Sequence, residues 1–175
     1  MAPTASGAGR ELGSLSSVTG DALRLEPLEV RVDTPDRMRA FGAALGRVAV
    51  AGDRFLLAGP FGVGKTTFVQ GLAAGLDVTE PIASPSFVLE QQHRGRLTLY
   101  HVDLFRLDRL EPSLLDELEE DLFGDGVAAV EWPELLPPDM REGAAWLQFA
   151  QLDGDTRRVL LHTHAERLRD AACAT

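Results

Sequence analysis

The sequence predicts an α/β fold built on a mixed sheet, and three observations carry that prediction. Short apolar strands alternate with stretches of helical periodicity along most of the chain. A continuous apolar run, Arg54-Phe-Leu-Leu-Ala58, suits a strand buried on both faces and leads into a glycine-rich loop and a helix. Near the C-terminus two strand-like segments flank Asp153-Gly154-Asp155, a hairpin turn that makes at least one pair antiparallel.

The elements follow in order. Leu28-Glu-Val-Arg-Val32 alternates like a strand with one buried face. Thr34 and Pro35 supply an N-cap and a first helical residue, and Met38, Phe41, Leu45 and Val48 recur at helical spacing. Gly52-Asp53 turns the chain into the strand Arg54–Ala58, and a helix is expected over Thr66–Leu76. Phe87–Gln91 and Leu97–Val102 read as two further strands joined through Gln92-His-Arg-Gly95. Leu110–Phe123 reads as an acidic helix with Leu114, Leu115, Leu118 and Leu122 as its buried stripe; its run Asp116–Asp121 is a solvated face. Val127–Val130 is a buried strand, Pro133–Pro138 a loop, and Trp146–Leu152 with Arg158–His162 the closing hairpin.

The chain has 175 residues, enough for one domain with a core that needs no staple. Residues 1–24 are small-residue rich, without the basic start and apolar core of a secretory signal, and read as a disordered leader. The folded domain is expected over 25–165 and a C-terminal tail, loosely helical, over 166–175. Mean hydropathy is −0.04, with no apolar run near the ~20 residues of a membrane span. A lone cysteine, Cys173, fits a reducing compartment, and a cytoplasmic location is expected.

Charge is unevenly spread. Between Asp103 and Glu142 lie 13 acidic and 3 basic residues, which accounts for the whole net charge of −10; the remainder balances. No basic stripe is available for a phosphate backbone, so tight direct binding of nucleic acid is not expected. Of 17 basic residues, 16 are arginine and one, Lys65, is lysine.

That lysine lies in Gly59-Pro-Phe-Gly62-Val63-Gly64-Lys65-Thr66, which fits G-x-x-x-x-G-K-[ST] at every fixed position. Glycines let successive backbone N–H groups point inward at an anion, and the following helix adds its positive end. Lys65 would reach the β- and γ-phosphates as a compact charge, which a rigid guanidinium does less well, and Thr66 would coordinate magnesium. Such a site also needs a carboxylate at the end of a buried strand. Two candidates exist: Asp103 after Leu97–Val102, and Glu131 after Val127–Val130. His101, two residues before Asp103, shares its strand face and reads either as a partner orienting Asp103 or as a structural histidine. Trp132 reads as a stacking surface for nucleotide or partner, or as a plug beside Pro133. His162 and His164 have no cluster of metal-ligating neighbours and read as surface residues.

Four segments converge in order: Gly59–Phe68, Ser84-Pro-Ser-Phe87, Tyr100-His-Val-Asp-Leu-Phe-Arg-Leu107 and Val130-Glu-Trp-Pro-Glu134. Together they resemble the TsaE family, small P-loop ATPases of bacterial threonylcarbamoyladenosine biosynthesis, over roughly Leu28–Leu161. The resemblance implies a P-loop NTPase-like three-layer sandwich with a mixed, mostly parallel central sheet. It also implies ATP and Mg²⁺ as cofactors, and a TsaD–TsaB type heterodimer as the protein partner that modifies tRNA. Carried over by position, Gly59, Gly62, Val63, Gly64, Lys65, Thr66 and Thr67 would hold the phosphates, and Thr66 and Glu131 the magnesium. Asp103 would be the functional aspartate and Trp132 the tryptophan beside the glutamate. Ser86, where the family usually has threonine, would belong to a switch-like segment sensing the γ-phosphate. Where the family often carries a threonine on the first helix near the nucleotide, this chain has Met38, and Thr34 reads as a cap.

Other functions fit less well. A small-molecule kinase on this scaffold would want a lid with several arginines, but the segment after Asp103 is acidic and holds only Arg106 and Arg109. A guanine-specific switch would want an Asn-Lys-x-Asp type motif, and the chain has no asparagine. A non-hydrolysing nucleotide-dependent adaptor remains an alternative on sequence grounds. With Arg106 the nearest candidate for an arginine finger, isolated turnover is expected to be slow and partner-stimulated.

Overall fold

The computed structural model describes residues 26–85 and 89–175. The expected leader 1–24 and the candidate Ser86 lie outside the described residues. The elements run β1 (Leu28–Val32), α1 (Pro35–Val48), β2 (Arg54–Ala58), α2 (Lys65–Gly75), β3 (Glu90–His93), β4 (Leu99–Asp103), α3 (Pro112–Leu122), β5 (Val127–Glu131), α4 (Pro138–Arg141), β6 (Ala145–Gln151), β7 (Arg157–His162) and α5 (Glu166–Cys173).

The seven strands form one sheet in the order β1-β7-β6-β2-β5-β4-β3. β6, β2, β5 and β4 are mutually parallel, and antiparallel pairs close both sides: β7 with β6 and β1, and β3 with β4. The sheet is therefore mixed, with parallel strands at its centre, as the sequence predicts. The apolar run in β2 alternates between two cores. Phe55 and Leu57 face α1, α2 and α5 with Phe41, Phe68, Leu72 and Phe149, while Leu56 faces α3 with Val102, Leu118, Leu122 and Val130. Helices on both faces of this mixed sheet give three layers.

α1 and α2 approach so closely that only glycine fits at their crossing. A Cβ on Gly71 would sit 2.1 Å from the Arg39 carbonyl oxygen, and one on Gly42 2.2 Å from that of Phe68. Since α2 begins at the glycine-rich loop, this seam seats the loop against α1.

Several boundaries differ from expectation. β3 extends to His93 because that ring is buried and its Nδ1 lies 2.7 Å from Glu80 Oε1; residues 87 and 88 of the expected strand lie outside the described residues. The Pro133–Pro138 loop contains a 3-10 turn at Pro133–Leu135 and leads directly into α4. His162 is not a surface residue: it is buried on β7 opposite Trp146, burial lowers its pKa, and neither ring nitrogen has a partner among the described residues. Residues 166–175, read as a tail, hold α5, whose Leu168 and Ala172 are buried in the core and whose Arg167 pairs with Asp53. No helix among the described residues is long and apolar enough to cross a membrane.

Candidate functional site: a phosphate loop closed by strand-end carboxylates

β2 ends at Ala58 and the chain turns through Gly59, Gly62 and Gly64, whose φ angles are 147°, 75° and 111°. Positive φ at these positions suits only glycine and turns the loop's N–H groups toward one side. Val63 anchors the loop in the core, Lys65 opens α2, and Thr66 and Thr67 follow half-buried in its first turn. Met38 packs from α1 beneath the loop, its Cε 3.5 Å from where a Cβ on Gly64 would lie. It offers apolar support at the position where the resemblance implies a threonine, and Thr34 accepts a hydrogen bond from the Arg37 N–H as the α1 cap.

The two carboxylates are register partners: β4 and β5 pair in parallel with Asp103 opposite Glu131. Glu131, buried, accepts a 2.9 Å hydrogen bond on Oε1 from the Thr66 hydroxyl. Asp103 accepts from the Phe105 N–H on Oδ1 (3.0 Å) and from the Ser84 hydroxyl on Oδ2 (3.2 Å). The Ser84 contact ties the segment before Ser86 to this carboxylate. Sequence reasoning names Ser86 in this segment and misses Ser84, whose hydroxyl meets Asp103 only once the chain is folded.

Lys65 Nζ donates to the Gly59 and Pro60 carbonyls at 2.8 and 3.0 Å. It also lies 4.1 Å from the centroid of the Trp132 ring, within cation–π range. Burial lowers its pKa, and the nearby charges of Glu131, Asp103 and Glu134 oppose that shift. Trp132 sits at φ 60°, ψ 53°, a left-handed conformation costing a bulky residue on the order of 1–2 kcal/mol. It holds the ring over the lysine and against Phe105, with centroids 4.8 Å apart; Phe105 in turn meets Phe61, at 5.9 Å. Phe61 is 81% and Phe105 44% exposed, so an aromatic ladder runs from the loop lysine to solvent. The reading of Trp132 as a mere plug beside Pro133 misses this ladder, because Phe61 occupies a variable position of the loop motif.

His101 is fully buried, and its partner is not Asp103 but Glu131, with Nε2 3.0 Å from Oε1. Residues two apart share a face, yet the neighbour across the strand pair lies closer.

Among the described residues no group of three or more His, Cys, Asp or Glu side chains could by itself hold a metal ion. A nucleotide-borne magnesium needs only one or two protein oxygens, since phosphates and water supply the others. The Thr66 hydroxyl and the Glu131 carboxylate, both hard oxygen donors beside an anion cradle, fit that requirement.

The family model for threonylcarbamoyl adenosine biosynthesis protein TsaE matches residues 32–159. The chain is 37% identical over 119 residues to the tRNA threonylcarbamoyladenosine biosynthesis protein TsaE of Treponema pallidum, covering 68% of this chain and 88% of that protein. It is 31% identical over 136 residues to the protein of the same name from Bacillus subtilis, covering 77% and 85%. The crystal structure of Bacillus subtilis YdiB matches with a TM-score of 0.71 at 27% identity, over 85% of this chain and 93% of that one. Motif order, sequence identity and fold agree: the chain belongs to the TsaE family of threonylcarbamoyladenosine biosynthesis proteins.

Proposed function

We propose that this TsaE-family chain binds and hydrolyses Mg-ATP for the tRNA threonylcarbamoyladenosine machinery, acting on a TsaD–TsaB type heterodimer. The observation that carries the proposal is the 2.9 Å bond between Thr66 and Glu131 at the mouth of the phosphate loop. It joins the loop's hydroxyl to a strand-end carboxylate, the pair that holds the metal in P-loop NTPases. When bound, Mg²⁺ supplies neutralisation of the charge that develops across the β- and γ-phosphates. The loop N–H groups hold the phosphates, and Lys65 leaves its two carbonyls to reach them. Asp103, held from two sides, orients the attacking water and takes its proton as the water oxygen bonds to the γ-phosphorus and the bridging P–O bond breaks.

The exposed ladder of Phe61, Phe105 and Trp132 opens beside this site, which suits a partner that senses nucleotide state. The carboxylate-rich surroundings make a direct tRNA grip on this chain unfavourable, so the heterodimer carries the tRNA.

Phosphate release measured with Glu131→Gln and Asp103→Asn tests the assignment. Each amide should lower turnover by about 100-fold or more, while ATP affinity changes far less. Wild-type turnover from either variant, with the heterodimer present, removes that residue from the site.

A further inference from the structure

We propose that His101 is a positioning residue that fixes the Glu131 carboxylate for its metal, an inference that rests on Thr66 and Glu131 being the magnesium ligands. The parallel register sets His101 opposite Ala129 and Asp103 opposite Glu131, so the side chains of His101, Asp103 and Glu131 share the sheet face beneath the phosphate loop. A carboxylate only accepts hydrogen bonds, so the His101 nitrogen facing it, Nε2, carries the proton. Glu131 Oε1 therefore receives two bonds, 3.0 Å from His101 and 2.9 Å from Thr66, which come from different elements. Held at one oxygen from β4 and from α2, the carboxylate cannot rotate freely, and its other oxygen is presented in one direction.

The ring makes no other polar contact among the described residues, because its Nδ1 has no partner. An apolar side chain of similar size would fill this fully buried position without an unpaired nitrogen, so core packing alone gives no reason for histidine here. Its single bond to Glu131 does. Asp103, on the same strand, is served separately by the Phe105 N–H and the Ser84 hydroxyl, which leaves His101 to Glu131. Partners of this kind behind a ligand orient it, and their loss weakens metal binding by about 10–100-fold.

The test is calorimetric ATP affinity in excess magnesium and in EDTA, for the wild type, His101→Leu and His101→Gln. The expected result is that His101→Leu leaves the EDTA affinity within about twofold and cuts the gain from magnesium by about tenfold. His101→Gln, whose amide N–H can reach the same oxygen, should recover most of that gain. A magnesium gain retained in full by His101→Leu overturns the role of His101 alone. Equal losses in both media mark a structural residue and overturn it as well. No magnesium gain in the wild type overturns the metal assignment itself. Nitrogen-15 spectra of the wild-type imidazole give a reading independent of any variant's folding: a protonated Nε2 is expected, and a ring protonated only at Nδ1 contradicts the proposal.

Discussion

Lys65 donates its ammonium hydrogens to two carbonyls of its own loop, beneath the Trp132 ring and within the field of Glu131 and Asp103. Truncating it removes the site's cation and leaves both carboxylates facing the incoming phosphates. Lys65→Ala should therefore weaken Mg-ATP binding by about 30-fold or more, the ~2 kcal/mol or greater loss expected when one side of a desolvated charge pair goes. Calorimetry on the folded variant checks it, and unchanged affinity contradicts the phosphate-loop assignment. At this scale the sequence is informative where the chemistry is local. Gly59 to Thr66 are legible because their motif depends on spacing along the chain, and Asp103 and Glu131 because each ends a strand-like segment. The link from His101 to Glu131 depends on strand register, which no single segment encodes. The conformation of Trp132 and the ladder it forms through Phe105 to Phe61 are likewise products of how β5 and the segments after β2 and β4 meet.

Among elements, the seam between β3 and α3 carries its own pH signature. Burial, the neighbouring Asp121 carboxylate and the charge of Glu117 push the Glu90 carboxyl up to about 7, from an ordinary value near 4.5. A carboxyl with a raised pKa in the fold binds its proton more tightly there than in the unfolded chain. The folded state is thus favoured below about 4.5, and that advantage is lost as pH rises through about 7. Glu90→Gln, permanently neutral, should be more stable than the wild type at pH 8, with the difference closing near pH 4. Denaturant titrations at the two pH values check this; a variant equally stable or weaker at pH 8 contradicts it. The β3 boundary also shows what periodicity leaves out. Glu90 to His93 is a polar stretch, and it is a strand because Glu90 to His93 pair with Val102 to Leu99 and the His93 ring is buried beside Glu80. The central strands were legible because burial on both faces leaves continuous apolar runs. α5 was less so, since its docking rests on Leu168, Ala172 and one distant ion pair, Arg167 with Asp53.

Over the whole molecule, the sheet order decides what the uneven charge can do. Arg94, Arg96, Arg157 and Arg158 would make a basic patch only if the strands beside them met. They do not: β3 and β7 are separated by β4, β5, β2 and β6, roughly 24 Å at ~4.8 Å per strand. Arg96 is moreover engaged with the Gly46 and Ala49 carbonyls at the end of α1. With all of the net −10 charge between Asp103 and Glu142, purified protein should not shift tRNA in a gel at ~150 mM salt. Saturable binding at low micromolar protein would move the tRNA onto this chain. The same architecture sets the phosphate loop beside an exposed aromatic ladder, and in the proposed function a partner completes the site there. Phosphate release from Mg-ATP, measured for the purified chain alone and after addition of a TsaD–TsaB type heterodimer, tests that account most directly. It predicts slow turnover alone and a rise of at least about tenfold with the heterodimer, abolished by Glu131→Gln. Turnover that is fast alone and indifferent to the heterodimer, or absent in both conditions, would contradict it.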